Sequence, residues 1–234
     1  MTIRTNREID EAFESVAKRG WMSDMDIGHR ELFKSIAVLR NVEEGKEVIA
    51  FGEEATGMCG IVTGSLALET IRPSQDSFLA YRPGPGFWVG HYAVLTGRPH
   101  LMACRAAEPS KLIWLARNPL LRLLEENPAL HKDFSELTYR HMRNVLDVLG
   151  RITAENSIAR ISGRLLLEYR GRCDEDGWVS ITQPQLAEML SASLPTLQRT
   201  LAKLATEKLI EIHYGRIKIV EPARLEELAA FSKL

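Results

Sequence analysis

The side chains best suited to chemistry lie in one stretch near the end of the chain. Residues 180–206 read S-I-T-Q-P-Q-L-A-E-M-L-S-A-S-L-P-T-L-Q-R-T-L-A-K-L-A-T. The Arg199 guanidinium can donate two hydrogen bonds to guanine O6 and N7, and the Gln198 amide can pair with adenine in the same two-point way. Each arrangement is worth ~1–3 kcal/mol of discrimination between bases. Thr182, Ser193, Thr196 and Lys203 carry hydroxyl and ammonium groups suited to phosphate. The other reactive groups are His91, His100, Cys59, Cys104 and Cys173. Two histidines nine apart, with no third ligand at a recognisable spacing, do not make a metal set. Cysteines odd in number, far apart and without a C-x-x-C pair read as free thiols of a reducing compartment. No neighbour in sequence marks any of them as a low-pKa redox thiol.

Two short helices must position the first group. Thr182 with Gln185 three residues later forms a capping box, and Pro184 sits in the first turn, where a missing N–H costs nothing. That helix runs through Met189-Leu190 and breaks at Ser191-Ala192, and Ser193 caps a second helix. Leu186, Leu190, Leu197, Leu201 and Leu204 supply a shared core, with the small Ala187 where the helices cross. This is the layout of a helix-turn-helix. Burying that stripe turns Thr196, Gln198, Arg199 and Lys203 outward on one face. In L-I-E-I-H-Y-G-R-I-K-I-V, Ile210, Ile212, Ile217 and Ile219 alternate around Tyr214-Gly215-Arg216, the pattern of a hairpin wing with Arg216 at its tip, placed for a phosphate. A helix pair that only packs within an α-helical domain is the alternative, and helix, helix and wing in order favour double-stranded DNA as partner.

The preceding region has a different texture. Ile9, Phe13 and Val16 at helical spacing, then a second pattern over 24–37, form a helical lead-in. From about Leu39 to Leu115, seven or eight short apolar runs are separated by Gly, Pro and charge, as in a jelly roll or barrel. Asn127-Pro128 can start a long helix towards Asn156, with Asn127 as cap. Along it Phe134, Thr138, His141, Val145, Val148 and Ile152 follow a four-three-four spacing, a seam for a homodimer or for packing on the chain's own β-domain. Asn156-Ser157 can cap a further helix, Ile158 to Tyr169, and marks a boundary. The fold class is therefore α+β, an antiparallel β-roll, a long helix and a winged helix-turn-helix. The domains are an effector-sensing β-roll with its lead-in (1–126), a dimerisation helix (127–156) and a DNA-binding domain (157–234).

Composition is that of a globular protein of 234 residues, 45% apolar and 26% charged, with net charge −1. The last 78 residues carry 11 Lys and Arg against 10 Asp and Glu, so the basic bias expected of a nucleic-acid binder is weak. No run reads as a signal peptide or membrane span, which implies a cytoplasmic protein without a membrane partner.

Taken together, the segments F-G-E-E-A-T-G-M-C-G-I-V-T-G-S-L-A-L (51–68), P-G-P-G-F-W-V-G-H-Y-A-V-L-T-G-R-P-H-L-M-A-C-R-A-A (83–107) and 181–211 resemble the Crp/Fnr family of bacterial regulators. The match spans about residues 25–225 and implies a cyclic-nucleotide-binding-like β-roll, a dimer helix, a winged helix-turn-helix and RNA polymerase as a partner. The effector pocket it implies is formed by Gly90, His91, Arg98, His100 and Leu101. Members that bind a cyclic nucleotide follow the cassette glycine with Glu and carry Arg-Ser or Arg-Thr, whereas this chain has His91 after Gly90 and His100-Leu101 at the second position. Leu101 cannot donate to a phosphate oxygen and a neutral His100 is a poor substitute for a guanidinium fork, leaving Arg98 as the nearby cation. The helix positions that contact the base ring in the cyclic-AMP receptor correspond to Leu149 and Gly150. No cofactor is therefore assigned, the cyclic nucleotide is disfavoured, and an unidentified small-molecule effector or none at all remains. The family's Glu-x-x-Ser-Arg becomes Pro195-x-x-Gln198-Arg199, which predicts a different operator.

Two other classes are weighed against this reading. A cupin-like metalloenzyme needs a His-x-His with Glu and a later His, and that set does not occur. A regulator of the same fold that binds proteins rather than DNA is distinguished by Arg199, which it would not need.

Overall fold

The computed structural model describes residues 6–71, 77–152, 156–174 and 176–229. The chain divides into two units, 1–141 and 142–234.

The first unit opens with α1 (Asn6–Val16), a 3₁₀ turn at Trp21–Asp24 and α2 (Ile27–Ser35), whose Asp26 cap accepts from the Gly28 N–H at 2.8 Å. Eight described strands follow: β1 (Ala37–Val42), β2 (Glu47–Ile49), β3 (Gly57–Thr63), β4 (Leu66–Ile71), β5 (Ser77–Tyr81), β6 (Trp88–Val89), β7 (Ala103–Ala106) and β8 (Ser110–Ala116). They form two antiparallel sheets, β1-β8-β3-β6 and β2-β7-β4-β5, with α3 (His91–Thr96) between β6 and β7.

Strand β3 shows why the pair holds together. It is buried over Gly57–Val62 rather than alternating, so both its faces are covered. Cys59 and Ile61 join Ile49, Leu66, Leu68, Cys104, Leu112 and Trp114 in one cluster, while Met58 and Val62 join the aromatic core around Trp21, Phe33, Trp88 and Phe134. Within that second core the Trp21 ring centroid lies 5.4 Å from Trp88 and 5.2 Å from Phe134. Edge-on and tilted pairs of this kind stabilise beyond their buried area.

Helices α4 (Arg117–Glu126) and α5 (Leu130–Ile152) come next, and here an expectation is corrected. Asn127 does not cap the long helix. It closes α4, with its backbone and side-chain N–H groups both donating to Leu123 O, at 2.9 and 3.0 Å. Leu120, Leu123 and Leu124 are buried, so the apolar run before Asn127 holds a helix of its own. The chain then turns through Pro128-Ala129 before α5 begins.

The second unit continues with α6 (Ser157–Arg172), capped by Asn156, whose side chain accepts from Ile158 N at 2.9 Å. Then follow β9 (Trp178–Ser180), α7 (Gln183–Met189), α8 (Leu194–Thr206), β10 (Ile210–His213), β11 (Arg216–Ile219) and α9 (Pro222–Ala229). The strands form an antiparallel sheet ordered β10-β11-β9. Its inner face, Val179, Ile210, Ile217 and Ile219, is buried with Leu165, Leu186, Leu197 and Leu201. The order helix, strand, two helices, hairpin is a winged helix-turn-helix.

Candidate nucleic-acid interface and effector-type cassette

The two caps foreseen at the helix-turn-helix are present. Thr182 and Gln185 exchange hydrogen bonds, Gln185 N–H to Thr182 Oγ1 at 3.3 Å and Thr182 N–H to Gln185 Oε1 at 3.0 Å. Ser193 Oγ accepts from the Thr196 N–H at 3.3 Å and donates to Thr196 Oγ1 at 2.8 Å. Between the helices Ser191 adopts φ 49°, a left-handed conformation that costs a non-glycine residue energy.

Beneath α8, Leu197 and Leu201 are at 0% and Leu204 at 1% exposure, so the stripe is sealed. On the opposite side Gln198, Arg199 and Lys203 are exposed, and Thr196 is half-buried. Gln198 Nε2 donates to Gln183 Oε1 at 3.2 Å, joining the two helices at their outer surface. Arg199 and Lys203 have no side-chain hydrogen bond or ion pair among the described residues, so their charge faces outward.

In the wing, Trp178, His213 and Lys218 escaped sequence reasoning. Tyr214 and Gly215 form the hairpin turn between the paired His213 and Arg216, with Gly215 at φ 73°, and Tyr214 is fully exposed at the tip. Arg216 is therefore not the tip residue. Its guanidinium lies 4.3 Å from the Trp178 ring centroid, because Trp178, Arg216 and Lys218 share the outward face of β9 and β11. The Lys218 ammonium is 5.7 Å from the same ring and His213 meets it edge-on at 4.7 Å. The signal for this cluster was the period-two alternation, which puts Trp178 beside both cations once the register is known.

From α6, Arg160 donates to the Leu190 carbonyl, the free end of α7. Arg164, 3% exposed, pairs with Glu168 at 2.8 Å and approaches Met189 Sδ at 2.9 Å. Arginine is ordinarily a surface residue, so pattern reading gave no hint that these two anchor the motif from below.

In the β-roll, Gly90 at φ 95° starts α3, a left-handed position that suits glycine. His91 is 4% exposed and its Nε2 lies 3.3 Å from Thr138 Oγ1 on α5. That hydroxyl donates its proton to Phe134 O at 2.9 Å, so it accepts from His91, and the proton of the neutral ring sits on Nε2. Nδ1 is buried and finds no partner among the described residues. Burial, reinforced by His141, pushes the His91 pKa down to about 3, and burial pushes His141 down to about 4. The two rings are 4.9 Å apart, and Phe87 stacks on His141 at 4.8 Å.

The other expected pocket residues have surroundings of their own. His100 is buried in a two-bond ladder, its N–H donating to Glu53 O at 2.9 Å and its carbonyl accepting from Gly52 N at 2.8 Å. Burial lowers its pKa, with Glu53 opposing. Leu101 is 73% exposed and Arg98 is exposed. No hydrogen bond or ring contact joins His91 to Arg98, His100 or Leu101 among the described residues. Cys59 is pushed up to about 12 by burial and Cys104 well above the usual thiol range, so neither is a thiolate at neutral pH. No three His, Cys, Asp or Glu side chains gather as a metal set among the described residues.

Along α5 the seam needs correction. Phe134 is 2% exposed and belongs to the unit's own core, and Thr138 and His141 are engaged with His91 and Phe87. Val145 is exposed, and the side chains of Val148 and Ile152 lie outside the described ones. A second apolar stripe, Tyr139, Met142, Leu146 and Leu149, is 55–62% exposed at three-four-three spacing.

Comparison with known proteins now decides the family. A model described as a cyclic nucleotide-binding domain matches residues 39–127, and one described as a Crp-like helix-turn-helix domain matches 159–228. The chain belongs to the Crp/Fnr family of DNA-binding transcription regulators. It is 26% identical over 214 residues to the nitrogen fixation regulation protein FixK of Bradyrhizobium diazoefficiens, covering 89% of each chain. It is 29% identical over 211 residues to the transcriptional activatory protein AadR of Rhodopseudomonas palustris, covering 86% of this chain and 84% of that one. The solved structure of FixK2 from Bradyrhizobium japonicum shares the fold, with TM-score 0.74 at 18% identity over 85% of this chain and 100% of that one. These relatives are regulators rather than enzymes. No described helix is long and apolar enough to cross a membrane.

Proposed function

We propose that this Crp/Fnr regulator binds a palindromic site as a homodimer, reading each half-site with α8. The observation that carries the reading is a capped helix with a sealed leucine stripe on one side and exposed Gln198, Arg199 and Lys203 on the other. Arg199 reads guanine and Gln198 adenine, while Thr182, Ser193, Thr196, Lys203 and Arg216 hold phosphates. The exposed stripe Tyr139, Met142, Leu146 and Leu149, with Val145, joins two copies in the manner of a coiled coil. We assign 1–126 to a sensing roll with its lead-in, 127–156 to the dimer helix and 157–234 to DNA binding.

Control passes through the roll, in one version by a small-molecule effector at Gly90, His91, Arg98, His100 and Leu101. A specific observation favours a second version that needs no small molecule: Phe87 already stacks on His141, and His91 already hydrogen-bonds Thr138, both on α5. Contact with RNA polymerase rests on the resemblance alone.

The test is a pair of variants of the full chain. Arg199→Ala should lose base preference while keeping salt-sensitive non-specific binding. Met142→Glu with Leu146→Glu should sediment as a monomer and lose tight binding to a two-half-site duplex. A wild-type monomer that binds such a duplex at full strength would overturn the dimer, and an Arg199→Ala chain with unchanged preference would overturn the reading helix.

A further inference from the structure

We infer that Gln183, on the first helix of the motif, is a positioning residue for base recognition: it sets the orientation of the Gln198 amide and so fixes adenine as the base Gln198 selects. The inference rests on the proposed role of α8. Its basis is the bond from Gln198 Nε2 to Gln183 Oε1, 3.2 Å long, between residues fifteen apart in sequence.

The chemistry follows from what the amide retains. A glutamine side chain has two N–H donors on Nε2 and one carbonyl acceptor. Giving one N–H to Gln183 leaves one N–H and the carbonyl, the complement of adenine N7 and N6–H₂. An unanchored glutamine turns its terminal torsion through two nearly equivalent orientations, and one of these exchanges donor and acceptor. With the Gln183 carbonyl facing it, the Gln198 amide is held in one of these orientations before DNA arrives, which also lowers the ordering cost of a long exposed side chain.

Gln183 can hold this position because its own backbone is fixed. It is the first helical residue after the Thr182 capping box and is followed by Pro184. It is half-buried, whereas Gln198 is exposed, so the firmer member of the pair anchors the freer one. Arg199, the next residue, needs no such help, since every edge of a guanidinium donates and no orientation exchanges its donors for acceptors.

The experiment is competition binding of the purified full-length protein to its selected duplex and to duplexes changed one base pair at a time. Gln198→Ala first locates the base pair that Gln198 reads. Gln183→Ala should then lower the preference at that same base pair about tenfold, with the preference at the Arg199 base pair unchanged. Gln183→Glu should retain the preference, because a carboxylate can only accept and enforces the same amide orientation, even if added charge lowers affinity for every duplex equally. A Gln183→Ala chain that keeps the preference, or that weakens on all duplexes equally, would overturn the positioning role alone. A Gln198→Ala chain with no altered base pair would overturn the role of Gln198 and the inference with it.

Discussion

The reading helix and the cassette treat their polar side chains in opposite ways. On α8 the groups that matter stand outside a sealed apolar stripe, and Arg199 and Lys203 are exposed. In the cassette His91 and His100 are buried, their pKa values lowered by that burial, and His91 is tied to Thr138 and beside His141. Descent from a common architecture therefore does not keep every site equally open. The surface proposed to face DNA carries exposed polar groups, whereas His91 and His100 of the cassette are engaged within their own chain.

The largest expected effect follows removal of the arginine that reaches α7 from α6. Arg164→Ala removes the buried guanidinium that pairs with Glu168 at 2.8 Å, and loss of one member of such a pair costs about 3–5 kcal/mol. Urea unfolding followed through Trp178 should shift accordingly, and specific DNA binding should fall with it. Unchanged unfolding would show that α6 does not hold the motif.

Acid sharpens the contrast from the other side. His91 and His141 have folded pKa values of about 3 and about 4 against an ordinary value of 6.5, so below pH 6.5 the unfolded chain binds more protons than the folded one. Their contribution is complete above pH 6.5 and is lost as pH falls, towards 4 for His141 and towards 3 for His91. Between pH 7 and pH 5 each histidine should remove about 1–2 kcal/mol of stability. His91→Gln should make that slope shallower in urea titrations at the two pH values, and an unchanged slope would contradict a neutral, buried His91.

The smallest effect belongs to the turn of the motif. Ser191→Gly relieves the left-handed backbone at φ 49° and should raise stability by about 0.5 kcal/mol without altering base preference. A destabilised variant would mean that the serine side chain contributes more than its backbone costs.

Much of this was legible in the chain. The capping box at Thr182, the Ser193 cap and the leucine stripe each depend on neighbours three or four residues away, and local spacing determines them. The seam on α5 was harder, because the helix carries two apolar stripes and periodicity cannot say which faces its own unit. Phe134 belongs to the inner stripe and Leu146 to the outer. Asn127-Pro128 carried a start signal that the preceding leucines turned into a stop. The Arg216 contact with Trp178 and the Arg160 bond to Leu190 bring together residues that only the tertiary register relates.

The most direct test of the central claim is selection of random duplex DNA by the purified protein, with and without cyclic AMP, followed by sequencing. The account predicts a palindrome whose half-sites lie ~10 bp apart centre to centre, recovered equally in both conditions and lost with Arg199→Ala. A single unpaired half-site, a palindrome that appears only with the nucleotide, or one that survives Arg199→Ala would contradict it.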